Sequence, residues 1–201
     1  MTRGQMIVGW LLLLSCQTAG AAQALVGQSA PDFTLTDTTG VPKTLSQLRG
    51  TIVVLEWFNP DCPFVKRHYG GGNMQRLQSA ATEKGVIWLT IDSSAEGKQG
   101  YLTRQEAAAV RNDRGMRSTA LLLDPDGRVG RLYGAKTTPH LFVIDAKGVL
   151  VYAGAIDPHP SVDPADLPPE KNYVTQALDE LLAGKPVSVP QTTAYGCSVK
   201  Y

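Results

Sequence analysis

The chain has almost no charge imbalance: 19 Lys and Arg stand against 18 Asp and Glu in 201 residues, a net charge of +1. Aromatics make up 7% of it, and no basic patch is interleaved with them. A protein that binds nucleic acid needs an excess of cations to displace counterions, so that class of partner is excluded. Cysteine is scarce too. There are three, and no pair has Cys-x-x-Cys spacing, which excludes a local redox disulfide. The apolar run Met6–Ser15 is too short to span a bilayer. No internal repeat is present. What is there is ordinary: 43% hydrophobic and 18% charged residues, at a length that suits one domain with a proper core.

The N-terminus reads as a leader. Arg3 is a minimal positive start, the apolar run follows, and Ala22-Gln23-Ala24 has the small-x-small pattern of a cleavage site. Removing residues 1–24 leaves a domain over 25–186 and a tail over 187–201. Leu13-Leu14-Ser15-Cys16 also looks like a lipoprotein box, so a lipid anchor at Cys16 is the alternative and the only route to a membrane. Either route exports the protein, to the periplasm or beyond, where disulfides persist.

Period and punctuation divide the rest. Phe33 and Leu35 alternate with polar residues, and Lys43–Gly50 reads as one helical turn. Thr51–Trp57, Val86–Ile91 and Ala120–Leu123 read as buried strands. Helices are expected over Cys62–Tyr69, after a cap at Asn73, and from the capping box Thr103–Glu106. A further one is expected from Asp124, with Pro125 in its first position, to Tyr133. Leu141–Asp145 and Leu150–Gly154 form a hairpin about Ala146-Lys147-Gly148, and a final amphipathic helix holds Tyr173, Ala177, Leu178 and Leu181. The tail has no strong pattern. The alternation predicts an α/β fold with a mixed central sheet covered on both faces. Function in such sheets gathers at the carboxyl ends of strands, and Cys62 lies just past one.

Cys62 follows an Asn-Pro-Asp turn and opens a helix. Unpaired N–H groups and the positive end of the peptide dipoles meet there, and both favour the thiolate. Lowering a thiol pKa by roughly one unit raises the thiolate at neutral pH from a few per cent to about a quarter. Lys66, one turn on, adds to this and Asp61 opposes it. Cys62 is therefore expected to be an anionic nucleophile within reach of solvent.

The chain resembles the thioredoxin superfamily in its redoxin, peroxiredoxin-like branch, the alkyl hydroperoxide reductase and thiol-specific antioxidant type. The residues that carry this are Ala30-Pro31-Asp32-Phe33-Thr34-Leu35, Cys62 at the first cysteine of the thioredoxin-type motif, and Thr137-Thr138-Pro139 before a strand. Gly196-Cys197-Ser198 in the tail belongs to the same likeness. The resemblance implies a thioredoxin-like α/β/α fold with an N-terminal redoxin extension. It also implies a cis Pro139 that brings Thr138 beside Cys62 as a substrate-binding edge. Glu56 falls where thioredoxins carry a buried acid that accepts protons, the alternative being a strand-end acid in solvent. Two positions depart from the pattern: Val65 replaces the second thioredoxin cysteine, and Leu55 and Asn59 replace the proline and threonine of peroxiredoxins.

Three functions stay open. The leading expectation is an exported thiol peroxidase, in which Cys62 is oxidised by peroxide to a sulfenic acid and a separate dithiol reductant restores it. The second is thiol–disulfide exchange on protein disulfides, which needs a further thiol to release Cys62. The third is a non-catalytic binding or metal-carrier module. Cys197, on a mobile tail, is a resolving thiol, half of a structural disulfide, or idle. His68, His140 and His159 are expected to be solvated, the spacing gives no metal site, and no cofactor is required.

Overall fold

The computed structural model describes Met1, residues 23–166 and residues 171–201. Residues 2–22, which hold most of the expected leader and Cys16, lie outside the described residues. Among those described, no helix is long and apolar enough to cross a membrane.

Strands β1 (Thr34–Asp37), β2 (Pro42–Thr44), β3 (Val53–Trp57), β4 (Ile87–Asp92), β5 (Ala120–Leu123), β7 (His140–Ile144) and β8 (Leu150–Gly154) form one sheet in the order β2-β1-β5-β4-β3-β7-β8. The central three run parallel, and β1, β7 and β8 add to them antiparallel. This is the mixed sheet expected from the alternation. Strand period two sends successive side chains to opposite faces. Val54, Trp88, Leu121 and Val143 enter one core, while Val53, Leu55, Leu89, Leu122 and Phe142 enter the other. Burial on both faces explains why these strands read as continuous apolar runs.

Helices α1 (Pro63–Gly70), α2 (Asn73–Thr82), α3 (Arg104–Asp113) and α5 (Tyr173–Leu182) contribute to the first core. Helix α4 (Arg128–Tyr133) and the N-terminal segment contribute to the second. The capping box of α3 forms as expected: Glu106 N–H donates to Thr103 Oγ1, and the Thr103 N–H donates back to the Glu106 carboxylate.

Three expectations are corrected. Gly72, in the left-handed region at φ 70°, caps α2; Asn73 is its first residue and spends its amide on His68. Asp124 lies outside α4, which starts after Gly127, yet it accepts from Val129 and Gly130 N–H and so satisfies that helix from a preceding turn. The stretch read as a helical turn begins as strand β2.

The tail is not free. It returns across the molecule, with Thr192 N–H donating to Ala153 O at 3.1 Å, Val199 N–H to Lys136 O at 3.1 Å and Ala95 N–H to Lys200 O at 2.8 Å. Tyr201 ends it in a cleft on α4: its hydroxyl donates to Ala135 O at 2.7 Å, and the Arg131 guanidinium stacks 4.5 Å from its ring centre. A Cβ on Gly130 would lie 2.5 Å from the Tyr201 hydroxyl and 2.9 Å from Ser93 Oγ. Gly130 is thus the floor of the tail's last anchor. Gly130→Ala favours the helix by about 1 kcal/mol or less through propensity, but it removes that seat. Limited chymotrypsin digestion should then cut at Tyr195 several-fold faster than in the parent protein. Equal cleavage rates would show that the tail does not depend on this seat.

Candidate active site

The site is built by the turn between β3 and α1. Asp61 N–H donates to Asn59 Oδ1 at 2.8 Å and Cys62 N–H to Asn59 O at 3.2 Å, which folds the chain back on itself. The Asn59 amide donates to Gln99 O at 3.0 Å and approaches Ser94 Oγ at 3.4 Å. Arg114 donates to Pro60 O at 3.1 Å. Pro63 occupies the first helical position, where a missing N–H costs nothing. Cys62 is therefore the N-cap of α1, as expected from the sequence.

The sulfur faces Thr138. The Cys62 thiol donates to Thr138 O at 2.9 Å, and the Thr138–Pro139 bond is cis. The edge at Thr138 is occupied: β6 (Thr137–Thr138) pairs antiparallel with β9 (Cys197–Ser198), with Cys197 opposite Thr138. Gly196 makes this approach feasible. It has φ +136°, and a Cβ there would lie 2.1 Å from Thr138 O. The strand brings the Cys197 thiol and N–H against the Cys62 sulfur, and both cysteines are unbonded to each other. This corrects the expectation of a mobile tail and a solvent-facing thiol. Cys62 is 0% exposed, closed over by the protein's own last strand.

Burial is the strongest single influence on Cys62 and raises its pKa. The Cys197 thiol, the Thr138 hydroxyl and the N–H groups of Val65 and Cys197 act the other way and win, so Cys62 lies below the ordinary thiol value. The Thr138 hydroxyl is buried without a hydrogen-bond partner while the thiol donates to the carbonyl. It is a donor available to the thiolate once the proton leaves. Cys197 is pushed up to about 11, by burial first and then by Cys62. Lys66 is not among these main influences. Its ammonium sits 3.8 Å from Asp61 on the surface, and the two half-exposed charges offset each other.

Glu56 is fully buried, which rules out the solvated alternative. It accepts from Tyr69 Oη at 2.8 Å, Gln78 Nε2 at 3.0 Å, Trp88 Nε1 at 2.7 Å and Thr90 Oγ1 at 3.1 Å. Burial raises its pKa against these four donors. The carboxylate ties α1 and α2 to the sheet; no hydrogen bond joins it to Cys62 among the described residues.

A second buried cluster was not foreseen. Arg67, 2% exposed, donates to the carbonyls of His159, Ser161, Asp163 and Asp166 and faces Asp157 at 3.9 Å. His68 is 0% exposed and held neutral, its pKa lowered by burial to about 4. Tyr195 donates to Asp157 at 2.6 Å. His140 is buried as well, so two of the three histidines expected in solvent lie inside. The only sequence signal for the cluster is a cation and a histidine on the helix of Cys62. The groups that bury them come from a proline-rich loop and the tail, far away in the chain. Among the described residues no cluster of three or more His, Cys, Asp or Glu could hold a metal.

Two substitutions test this geometry. Thr138→Val keeps the shape and removes the hydroxyl donor, so the alkylation–pH profile of Cys62 should move to higher pH and the rate at pH 7 should fall several-fold. An unmoved profile would show that the hydroxyl does not serve the thiolate. Glu56→Gln replaces an acceptor oxygen with an NH₂ facing donors, and should cost about 1–3 kcal/mol in urea unfolding. A loss below that range would mean the network re-forms around the amide.

Comparison with known proteins bears on the fold and the family. The chain is 29% identical over 137 residues to the thiol:disulfide interchange protein DsbE of Allochromatium vinosum, covering 66% of this chain and 69% of that one. An uncharacterized conserved protein from Geobacillus kaustophilus superposes with a TM-score of 0.77 at 28% identity, covering 88% of this chain and 92% of the other. A hypothetical protein from Sinorhizobium meliloti gives 0.74 at 25%, covering 89% and 96%. The profile of the AhpC/TSA family matches residues 26–153, a span that holds Cys62, Glu56, Thr138 and Pro139. The chain is a thioredoxin-like redoxin and belongs to the AhpC/TSA family.

Proposed function

We propose that this protein is a thiol–disulfide oxidoreductase acting on protein disulfides, with Cys62 as nucleophile and Cys197 as the resolving thiol. The observation that carries the reading is the seating of Cys197 opposite Thr138 and against Cys62. Exchange requires a second thiol, and the sequence has Val65 where a thioredoxin-type partner would be. The tail supplies one from 135 positions away.

In the reaction, the Cys62 thiolate attacks one sulfur of a substrate disulfide, whose other sulfur leaves and takes up a proton. Cys197 then loses its proton and attacks Cys62 Sγ, releasing the second substrate thiol and leaving a Cys62–Cys197 disulfide. A separate dithiol protein reduces that disulfide and completes the cycle. Thr138 and Pro139 form the edge that β9 occupies in the resting protein, so the tail lifts from it when a substrate strand lies there and reaches Cys62. Glu56 supports the nucleophile helix through Tyr69 and is the proposed proton store beneath it, its raised pKa being the feature that fits. The depressed pKa of Cys62 and the raised pKa of Cys197 suit a nucleophile and a thiol kept protonated until needed. Similarity to a thiol:disulfide interchange protein supports the same chemistry.

Peroxide reduction, the first expectation from the residues, has weaker support. The position of the peroxiredoxin threonine is Asn59, whose amide is already committed to Gln99 and whose Oδ1 holds the turn. No side chain is then free at that position to orient a peroxide. Export fits the leader pattern and a disulfide cycle; cleavage after Ala24 is the proposed route and a lipid anchor at Cys16 the alternative.

Purified mature protein should accelerate reduction of a protein disulfide by a dithiol, and Cys62→Ser should return the rate to background. Cys197→Ser should accumulate a mixed disulfide between Cys62 and the substrate while turnover falls. Rapid consumption of hydrogen peroxide without disulfide reduction would overturn the proposal in favour of a peroxidase.

A further inference from the structure

Cys197 is held at Cys62 by little backbone. Strand β9 contributes two residues to a two-stranded pair, which is marginal alone. Gly196, just before it, has no side chain to pack. The nearest side-chain anchor on the N-terminal side of Cys197 is Tyr195. Its ring lies 5.7 Å from that of Phe64, two residues beyond Cys62 on α1, and its hydroxyl donates to Asp157 Oδ1 at 2.6 Å.

Asp157 is itself referred to α1. It is 0% exposed, with Oδ1 also accepting from His159 N–H at 2.8 Å. Its Oδ2 has no hydrogen bond and faces Arg67 Nη1 at 3.9 Å and His68 Nε2 at 3.8 Å, both from α1. The Asn73 amide is 2.9 Å from His68 Nδ1; with that nitrogen accepting, the ring proton lies on Nε2, 3.4 Å from Tyr195 Oη. The phenol, the carboxylate, the guanidinium and the imidazole thus form one dry cluster. Lifting Tyr195 would leave the buried carboxylate with only one formed hydrogen bond, a state that buried charge resists.

We propose that Tyr195 is a positioning residue for the redox pair: through Phe64 and Asp157 it fixes the tail to the same helix that carries Cys62, and so sets the effective concentration of Cys197 at the nucleophile. The inference rests on the proposed function, in which these two cysteines form a disulfide. It adds a residue that touches neither sulfur and a cluster that the exchange chemistry alone does not require.

The test is an equilibrium of mature protein with glutathione. Dithiol protein plus oxidised glutathione gives the Cys62–Cys197 disulfide plus two reduced glutathiones, so two electrons and two protons pass to glutathione. The ratio of forms is read by acid quenching, alkylation and intact mass. Tyr195→Phe keeps the ring on Phe64 and deletes the hydroxyl. The equilibrium constant for the disulfide should fall about tenfold, because one charge-assisted hydrogen bond no longer holds the tail down. Thermal unfolding of both redox forms separates positioning from a general structural role. By linkage, a positioning role lowers the melting temperature of the disulfide form more than that of the dithiol form, whereas a structural role lowers both forms alike and leaves the constant unchanged. If the parent protein forms its disulfide and Tyr195→Phe forms it with the same constant, the positioning role is overturned and the function stands. If the parent protein forms no such disulfide at any glutathione ratio, the function fails and the positioning role fails with it.

Discussion

Two residues of backbone pairing govern the site. Thr137–Thr138 faces Cys197–Ser198, and through that contact the end of the chain meets the start of α1. Without it Cys62 would be a capping thiol at a surface turn. With it, the sulfur is shut off from water and surrounded by a second thiol, a hydroxyl and two N–H donors. The rest of the fold serves to make this pairing possible. The antiparallel partnership of β3 with β7 sets Trp57 opposite His140, so the turn after β3 and the loop before β7 emerge side by side. Glu56, gripping Tyr69 from the sheet, fixes the height of α1 above that junction.

The closure creates an electrostatic asymmetry from two chemically identical groups. Desolvation raises the pKa of both thiols, so burial alone cannot tell them apart. The donors decide. Val65 N–H, Cys197 N–H and the Thr138 hydroxyl converge on Cys62, whereas Cys197 meets the developing negative charge of its neighbour, with only Lys200 to lower it. A helix start contributes to this, as a reading of the sequence expects, but only as one donor among several. Lys66, one turn on along α1, is paired with Asp61 at the surface and is not among the main influences on the thiol.

What could be read in advance follows the range of the interactions. The parallel strands, the capping box of α3, the hairpin and the amphipathic α5 are written in local period and punctuation, and they form where expected. Cys62 as an N-cap is equally local. The cis Pro139 and its nearness to Cys62 came from a family likeness, since a Thr-Pro pair carries no such signal by itself. The local misses shift a helix start or an element edge by a few residues, as at Gly72 and Gly127; those that shape the site are long-range. Arg67 and His68 look like solvated helix residues because their partners, the 159–166 carbonyls and Asp157, lie some ninety residues on. The tail reads as patternless because it is held by single anchors, Thr192, Tyr195 and Tyr201, each fitted to a different part of the surface. No periodicity marks such a segment.

The long separation also bears on how a disulfide here would couple to the stability of the fold. A disulfide between residues three apart closes a small loop and constrains the unfolded chain little. One between Cys62 and Cys197 would close a loop of well over a hundred residues, worth about 4–5 kcal/mol in the chain-entropy account. By linkage, whatever the disulfide adds to the stability of the fold, the fold adds to the stability of the disulfide. The gain is a ratio between the folded and unfolded chains: a longer loop enlarges it by disfavouring the disulfide in the unfolded chain, and the folded-state potential is left to the geometry about Thr138 and Cys62.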